Sequence, residues 1–165
     1  MGLENKDLEH LFQQYASYVG AIALRLCGRT SEVDDIVQDV FIAAQRGLRE
    51  IEDPRGVRRW LARVTVRTAQ RRMRTLKLKG MIGLVDEPDY NTLAGASASP
   101  EQMALISSVY RELDQLPAQQ RTAWILRFVE GFRLEEVAEL CGCSLATAKR
   151  RIASTQTHLR DTLDG

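Results

Sequence analysis

The chain has 165 residues, 44% hydrophobic and 27% charged, with a formal net charge of +1. That length suits one or two small domains rather than one large core, and the near-neutral total, taken alone, argues against a general nucleic-acid coat. No apolar run approaches the ~20 residues that cross a bilayer, and the N-terminus lacks the basic-then-apolar order of a secretory signal, so a cytoplasmic protein without membrane insertion is expected.

Nearly every patterned segment has the helical period, so the expected fold is all-α. Leu8, Leu11, Phe12, Tyr15, Tyr18, Val19, Ile22 and Leu26 step by three and four along a first helix that ends near Gly28. Ser31-x-x-Asp34 has the form of a capping box. Val33, Ile36, Val37, Val40 and Phe41 then mark the apolar side of a second helix reaching about Arg46. Gly47 to Asp53 reads as a loop. Asp53-Pro54 opens a third helix, with Asp as cap and Pro in the first turn. Val57, Trp60, Leu61, Val64, Thr68 and Met73 form its buried side.

The pattern fails from about Thr75 to Ser99, where Gly80, Gly83, Pro88, Gly95 and an Ala-Ser-Ala-Ser run suggest a flexible linker. Two small helical domains are therefore expected, 1–75 and 100–165, joined by 76–99. Ser99-Pro100-Glu101-Gln102 restarts helix as a capping box with proline at the first position. Met103, Ile106, Val109, Tyr110 and Leu113 form its stripe. A further helix begins at Pro117 and closes at Gly131.

The chain then reads as a helix-turn-helix. Leu134, Val137, Ala138 and Leu140 make a short apolar face, Gly142 supplies the turn, and Ser144 caps a second helix that carries Lys149-Arg150-Arg151. The first residues of that helix, Ser144 to Arg151, are placed to meet base edges or phosphates in a major groove. Trp60 and Trp124 lie on apolar stripes and read as core rather than as base-stacking platforms.

Charge is segregated along the chain. Residues Arg55 to Arg74 carry eight arginines and no acid, while Glu32 to Asp39 carry four acids and no base. Arg59, Arg63, Arg67 and Arg71 recur every fourth residue on one slowly drifting helix face. With no interleaved acid to pair with, this row suits a polyanion whose phosphates it could follow, with salt-dependent binding. The acids fit either the helix N-terminus, where the dipole favours them, or a docking surface for a basic partner. Cys27, Cys141 and Cys143 are too few and too badly spaced for a disulfide framework, and the pair at the turn lacks the further ligands of a tetrahedral metal site. They read as structural thiols, with a redox or metal switch as the lesser alternative. No paired carboxylates in an apolar setting, no glycine-rich phosphate loop and no Ser/His/Asp spacing appear, so neither an enzyme nor a cofactor is expected.

The order of these parts resembles a bacterial RNA polymerase sigma factor of the extracytoplasmic-function (ECF) group in the sigma-70 family, which keeps sigma regions 2 and 4. Asp35-Ile-Val-Gln-Asp39-Val-Phe is similar to the family's region 2.2 motif, and Trp60-Leu-Ala-Arg-Val to the start of region 2.4. Leu116-Pro117-Ala-Gln-Gln-Arg121 resembles region 4.1; Glu135-Glu136-Val-Ala-Glu and Ser144-Leu-Ala-Thr147-Ala-Lys149-Arg150-Arg151 resemble region 4.2. The resemblance implies that Asp35, Gln38 and Asp39 bind the β′ clamp helices of core polymerase. It implies minus-ten promoter contacts for Arg63, Arg67, Arg71 and Arg74, and a flipped non-template base held by the loop carrying Glu50, Asp53 and Arg55. It implies minus-thirty-five contacts for Ser144, Thr147, Lys149, Arg150 and Arg151. The β flap, promoter DNA in duplex and single-stranded form, and an anti-sigma factor are the further partners it implies. Two departures bear on promoter choice. The family often has Asn and Asp where this chain has Arg67 and Arg71, and an aromatic or His then Arg where Ala153-Ser154 follow Ile152. Two other readings compete: a stand-alone helix-turn-helix regulator of duplex operators, and a polymerase-binding adaptor with no DNA contact.

Overall fold

The computed structural model describes residues 5–48, 51, 53–80 and 90–165; the side chains of residues 5, 6 and 91 are not described. The described residues contain seven α-helices and no strand. The helices are α1 (Asn5–Cys27), α2 (Thr30–Gly47), α3 (Val57–Gly80), α4 (Pro100–Gln115), α5 (Ala118–Phe128), α6 (Leu134–Cys141) and α7 (Leu145–Leu163). Short 3-10 turns cover Pro54–Gly56 and Tyr90–Leu93.

The first three helices pack on one another because each has one apolar stripe to hide. Val19, Ile22 and Leu26 of α1, Ile36 and Val40 of α2, and Leu61 and Val66 of α3 are 0–1% exposed. Burying one such side chain stabilises the fold by roughly 1.5–3 kcal/mol. In the other half α5 packs on α7, and α6 on both. Leu113, Ile125, Leu126 and Val137 are fully buried there. Buried residues of both halves belong to one contiguous core.

Several ends sit where the sequence places them. Asp53 caps the Pro54 turn, its Oδ1 accepting from the Arg55 backbone N–H at 2.9 Å. Ser99 and Gln102 form a reciprocal capping box, with bonds of 2.9 and 3.2 Å. Two ends differ. Ser31 is not a cap: α2 already starts at Thr30, and Arg29 occupies the cap position with no side-chain bond. The α1–α2 connection is only Gly28 and Arg29, tight enough that Gly28 takes φ 71°. At the other site α3 runs past Thr75 to Gly80, because buried Leu76 continues its apolar stripe. The connector also contains the 3-10 turn, in which the Tyr90 hydroxyl bonds Asp114 at 3.1 Å. Thus part of 76–99 is helical, and Gly83 and Pro88 lie outside the described residues.

Candidate nucleic-acid interface

The helix-turn-helix forms as its residues require. Gly142 sits in the left-handed region at φ 65°, ψ 36° and ends α6. Its N–H bonds the Glu139 carbonyl at 3.1 Å, and Cys143 N–H reaches the Ala138 carbonyl at 3.0 Å, closing the last turn. The Ser144 hydroxyl then accepts from Thr147 N–H at 3.1 Å, so α7 starts with its capping bond made. Ala148, Ile152, Thr155 and Leu159 turn inward, which leaves Lys149 and Arg150 exposed. The Arg150 guanidinium returns to Thr147 Oγ1 at 3.2 Å. Arg151 is less free: it bonds Gln119 of α5 at 3.2 Å. Trp124 packs half-buried behind this unit, its indole N–H on Gln156 Oε1 at 2.7 Å, as a core residue should.

The second basic surface is α3. Its inner side is Leu61, Ala62, Thr65, Val66, Ala69 and Met73, all buried. Arg67, Arg71 and Arg74 therefore point outward and are exposed. None of the three has an ion-pair partner among the described residues. The helix is not without acids everywhere, as its sequence alone suggests. Arg72 reaches Glu32 at 3.6 Å and Asp35 at 3.0 Å, both on α2. Arg59 bonds Glu139 of α6 at 2.5 Å, and Arg63 lies 4.0 Å from the same carboxylate. Arg58 stacks over the Tyr18 ring at 4.3 Å. These partners come from 80 residues away or from another helix, so no local pattern reveals them.

Asp53 and Arg55 stand at the base of α3, both exposed. Arg55 folds back on the Asp53 carboxylate at 3.2 Å, and backbone and side-chain bonds from Arg55 hold that carboxyl below its ordinary pKa. Glu50 lies outside the described residues. Trp60 leans on the end of α2, where a Cβ on Gly47 would come within 2.6 Å of its ring.

The acidic surface is on α2. Asp34, Gln38 and Asp39 are exposed, and Asp35 is tied to Arg72. Beside them runs an apolar groove between α1 and α2, lined by Leu8, Phe12, Val37, Phe41 and Ile42. Phe12 and Ile42 are 45% and 48% exposed, and the Phe12 ring meets Phe41 edge-on at 4.9 Å. Acid and exposed apolar surface side by side suit a protein partner better than a solvated helix face.

All three cysteines are free. Cys27 is buried, and burial raises its pKa. Burial first, and Cys143 second, push Cys141 up to about 12. Both stay protonated thiols near neutral pH, poor nucleophiles and poor metal ligands.

The chain matches the Sigma-70 region 2 family over residues 11–78 and the Sigma-70, region 4 family over 106–154. It is 30% identical over 152 residues to the ECF RNA polymerase sigma factor SigM of Mycobacterium tuberculosis, covering 92% of this chain and 74% of that one. The chain belongs to the ECF RNA polymerase sigma factors. It is also 30% identical over 160 residues to the ECF sigma factor SigE of Mycolicibacterium smegmatis, and spans 61% of that relative's length. In fold this sigma factor is similar to RpoE of Bartonella quintana, solved in complex with the anti-sigma factor NepR. The TM-score is 0.70 at 22% identity, over 96% of this chain and 98% of that one. It is similar as well to CnrH, solved with the cytosolic domain of CnrY, with a TM-score of 0.64 at 22% identity over 98% and 90% of the two chains. Region 2 of this sigma factor thus comprises the α1–α3 bundle, and region 4 the helix-turn-helix with α5 and part of α4. No described helix is long and apolar enough to cross a membrane.

Proposed function

We propose that this chain is an alternative sigma factor that binds core RNA polymerase, directs it to particular promoters and helps separate their strands, in the cytoplasm and without catalysing a reaction. The observation that carries this reading is the pairing, within one chain of this family, of two outward basic helices with a separate acidic and apolar face. Arg67, Arg71 and Arg74 on α3 and Lys149 and Arg150 on α7 supply the cations. Asp39, Gln38 and the Phe12–Ile42 groove supply the other face. A stand-alone operator-binding regulator has use for the first feature and none for the second.

In this reading Asp35, Gln38 and Asp39 grip the β′ clamp helices, region 4 meets the β flap, and α3 follows the minus-ten element. Asp53 and Arg55, with Glu50, border the place where a non-template base is held. Bases captured in single-stranded form gain about 1–3 kcal/mol each by stacking, which offsets the few kcal/mol of unstacking them. Lys149 and Arg150, with Ser144, Thr147 and Arg151, read the minus-thirty-five element. Lys149 and Arg150 carry most of that contact, since Arg151 already has Gln119. One relative by fold was solved with the anti-sigma factor NepR and another with the cytosolic domain of CnrY, which supports a protein partner of the anti-sigma kind here too.

The test is assembly and initiation. Purified core polymerase should co-purify with this chain and acquire run-off initiation on a subset of a genomic promoter pool, while the chain alone binds promoters poorly. Asp39→Arg should abolish co-purification with the helical content unchanged. Co-purification of Asp39→Arg at the wild-type level would remove α2 from the polymerase contact.

A further inference from the structure

The exposed side of α3 offers hydrogen-bond donors and almost no acceptors. The helix contains no Asp, Glu or Asn. Its one amide, Gln70, is turned inward at 7% exposed, and Thr65 and Thr68 are buried as well. Thr75 is the one exposed side chain of α3 with an oxygen, and its hydroxyl donates to the Arg71 carbonyl at 3.2 Å. What remains outside for DNA is Arg67, Arg71 and Arg74, then Lys77 and Lys79.

Donor-only chemistry restricts which base can be read. A guanidinium is a planar fork of N–H groups with no acceptor. In the major groove guanine presents two acceptors, O6 and N7, at the spacing of that fork. Adenine sets an amino donor beside N7, cytosine presents an amino donor, and thymine has one acceptor beside a methyl group. The amide that suits adenine is the Gln70 group that α3 buries.

Position along the helix separates the base reader from its neighbours. At 1.5 Å per residue Arg63 and Arg71 stand about 12 Å apart, which is about the width of a major groove. A helix laid across the groove brings these two over the phosphate strands. Arg67 lies midway between them, turned about 40° from each, and so stands over the groove floor. It is exposed and has no ion-pair partner among the described residues, so no carboxylate must be displaced before it meets a base.

We propose that Arg67 is a specificity-determining residue that selects a guanine in the minus-ten segment lying against α3, by two hydrogen bonds to O6 and N7. The proposal rests on the sigma-factor reading and names the base that this surface takes.

The test uses holoenzyme assembled from core polymerase and this chain. Promoters selected by run-off initiation from a genomic pool should share one guanine in the minus-ten segment. Replacing that guanine by 7-deazaguanine, which lacks N7, should lower transcript yield about 5- to 100-fold, whereas inosine, which keeps O6 and N7, should be tolerated. Arg67→Gln, with folding verified by circular dichroism, should move the preference at that position from guanine to adenine. Absence of a shared guanine, or full tolerance of 7-deazaguanine, overturns the proposal without any variant. A uniform loss in Arg67→Gln over all four bases makes Arg67 a phosphate contact and overturns it too. Failure of the sigma-factor reading is a different result, a wild-type chain that forms no holoenzyme at all.

Discussion

Arg71 and Arg72 are neighbours in the chain and opposite in circumstance. Arg71 is exposed with no ion-pair partner among the described residues, whereas Arg72 is shared between Glu32 and Asp35. A free guanidinium can release counterions from a phosphate; a paired one must first leave its carboxylates. Arg71→Ala should therefore lower the slope of log affinity against log salt by about 0.7–0.9 in holoenzyme binding to a promoter strand. Arg72→Ala should change that slope less and instead loosen the packing of α3 on α2, read as a lower urea midpoint. Equal slopes for the two variants would show that the α2 carboxylates do not hold Arg72 in solution. The same contrast explains what sequence could and could not tell about the site. Arg67, Arg71 and Arg74 announce themselves by spacing, because exposure follows from a helical period. Glu139, Glu130 and Arg25 carry no such mark, since their partners are distant in the chain.

At the scale of elements, local chemistry decides where helices begin and end when one residue alone meets the need. Gly142 is such a residue: it adopts φ 65°, and nothing lies within 4 Å of a Cβ placed there. Gly142→Ala should then cost only the left-handed backbone, about 1–2 kcal/mol. Gly47 has the opposite problem. Its backbone needs no glycine, but an added Cβ would come within 2.6 Å of the Trp60 ring. Gly47→Ala should cost about 1–3 kcal/mol by overpacking, and should also shift the Trp60 emission, which Gly142→Ala should not. Chemical denaturation followed by fluorescence separates the two cases. The capping box at Ser99 and the cap at Ser144 are legible for the same local reason. The Ser31 box was not a true signal, because the two-residue turn from α1 starts α2 before the serine is reached.

The whole molecule is two helical units with a partly polar seam. Exposed ion pairs such as Arg59–Glu139 weaken as salt shortens the Debye length from about 10 Å at 0.1 M to about 3 Å at 1 M. Apolar packing within each unit does not weaken that way. Raising salt over this range should therefore increase the radius of gyration in X-ray scattering while far-ultraviolet circular dichroism stays constant. A radius that does not move would mean the seam is held chiefly by the apolar core that the two halves share. The sequence by itself determined the all-helical class, the order of the helices, the helix-turn-helix and the outward basic row, because period, capping and turn chemistry act between residues a few positions apart. Only the tertiary structure decided that the acidic helix lends Asp35 to Arg72, that α3 outlasts its apparent end, and that Glu139 closes over Arg59. Those contacts depend on which faces meet once the helices pack, and the position of a charge along the chain says nothing about what folds back against it.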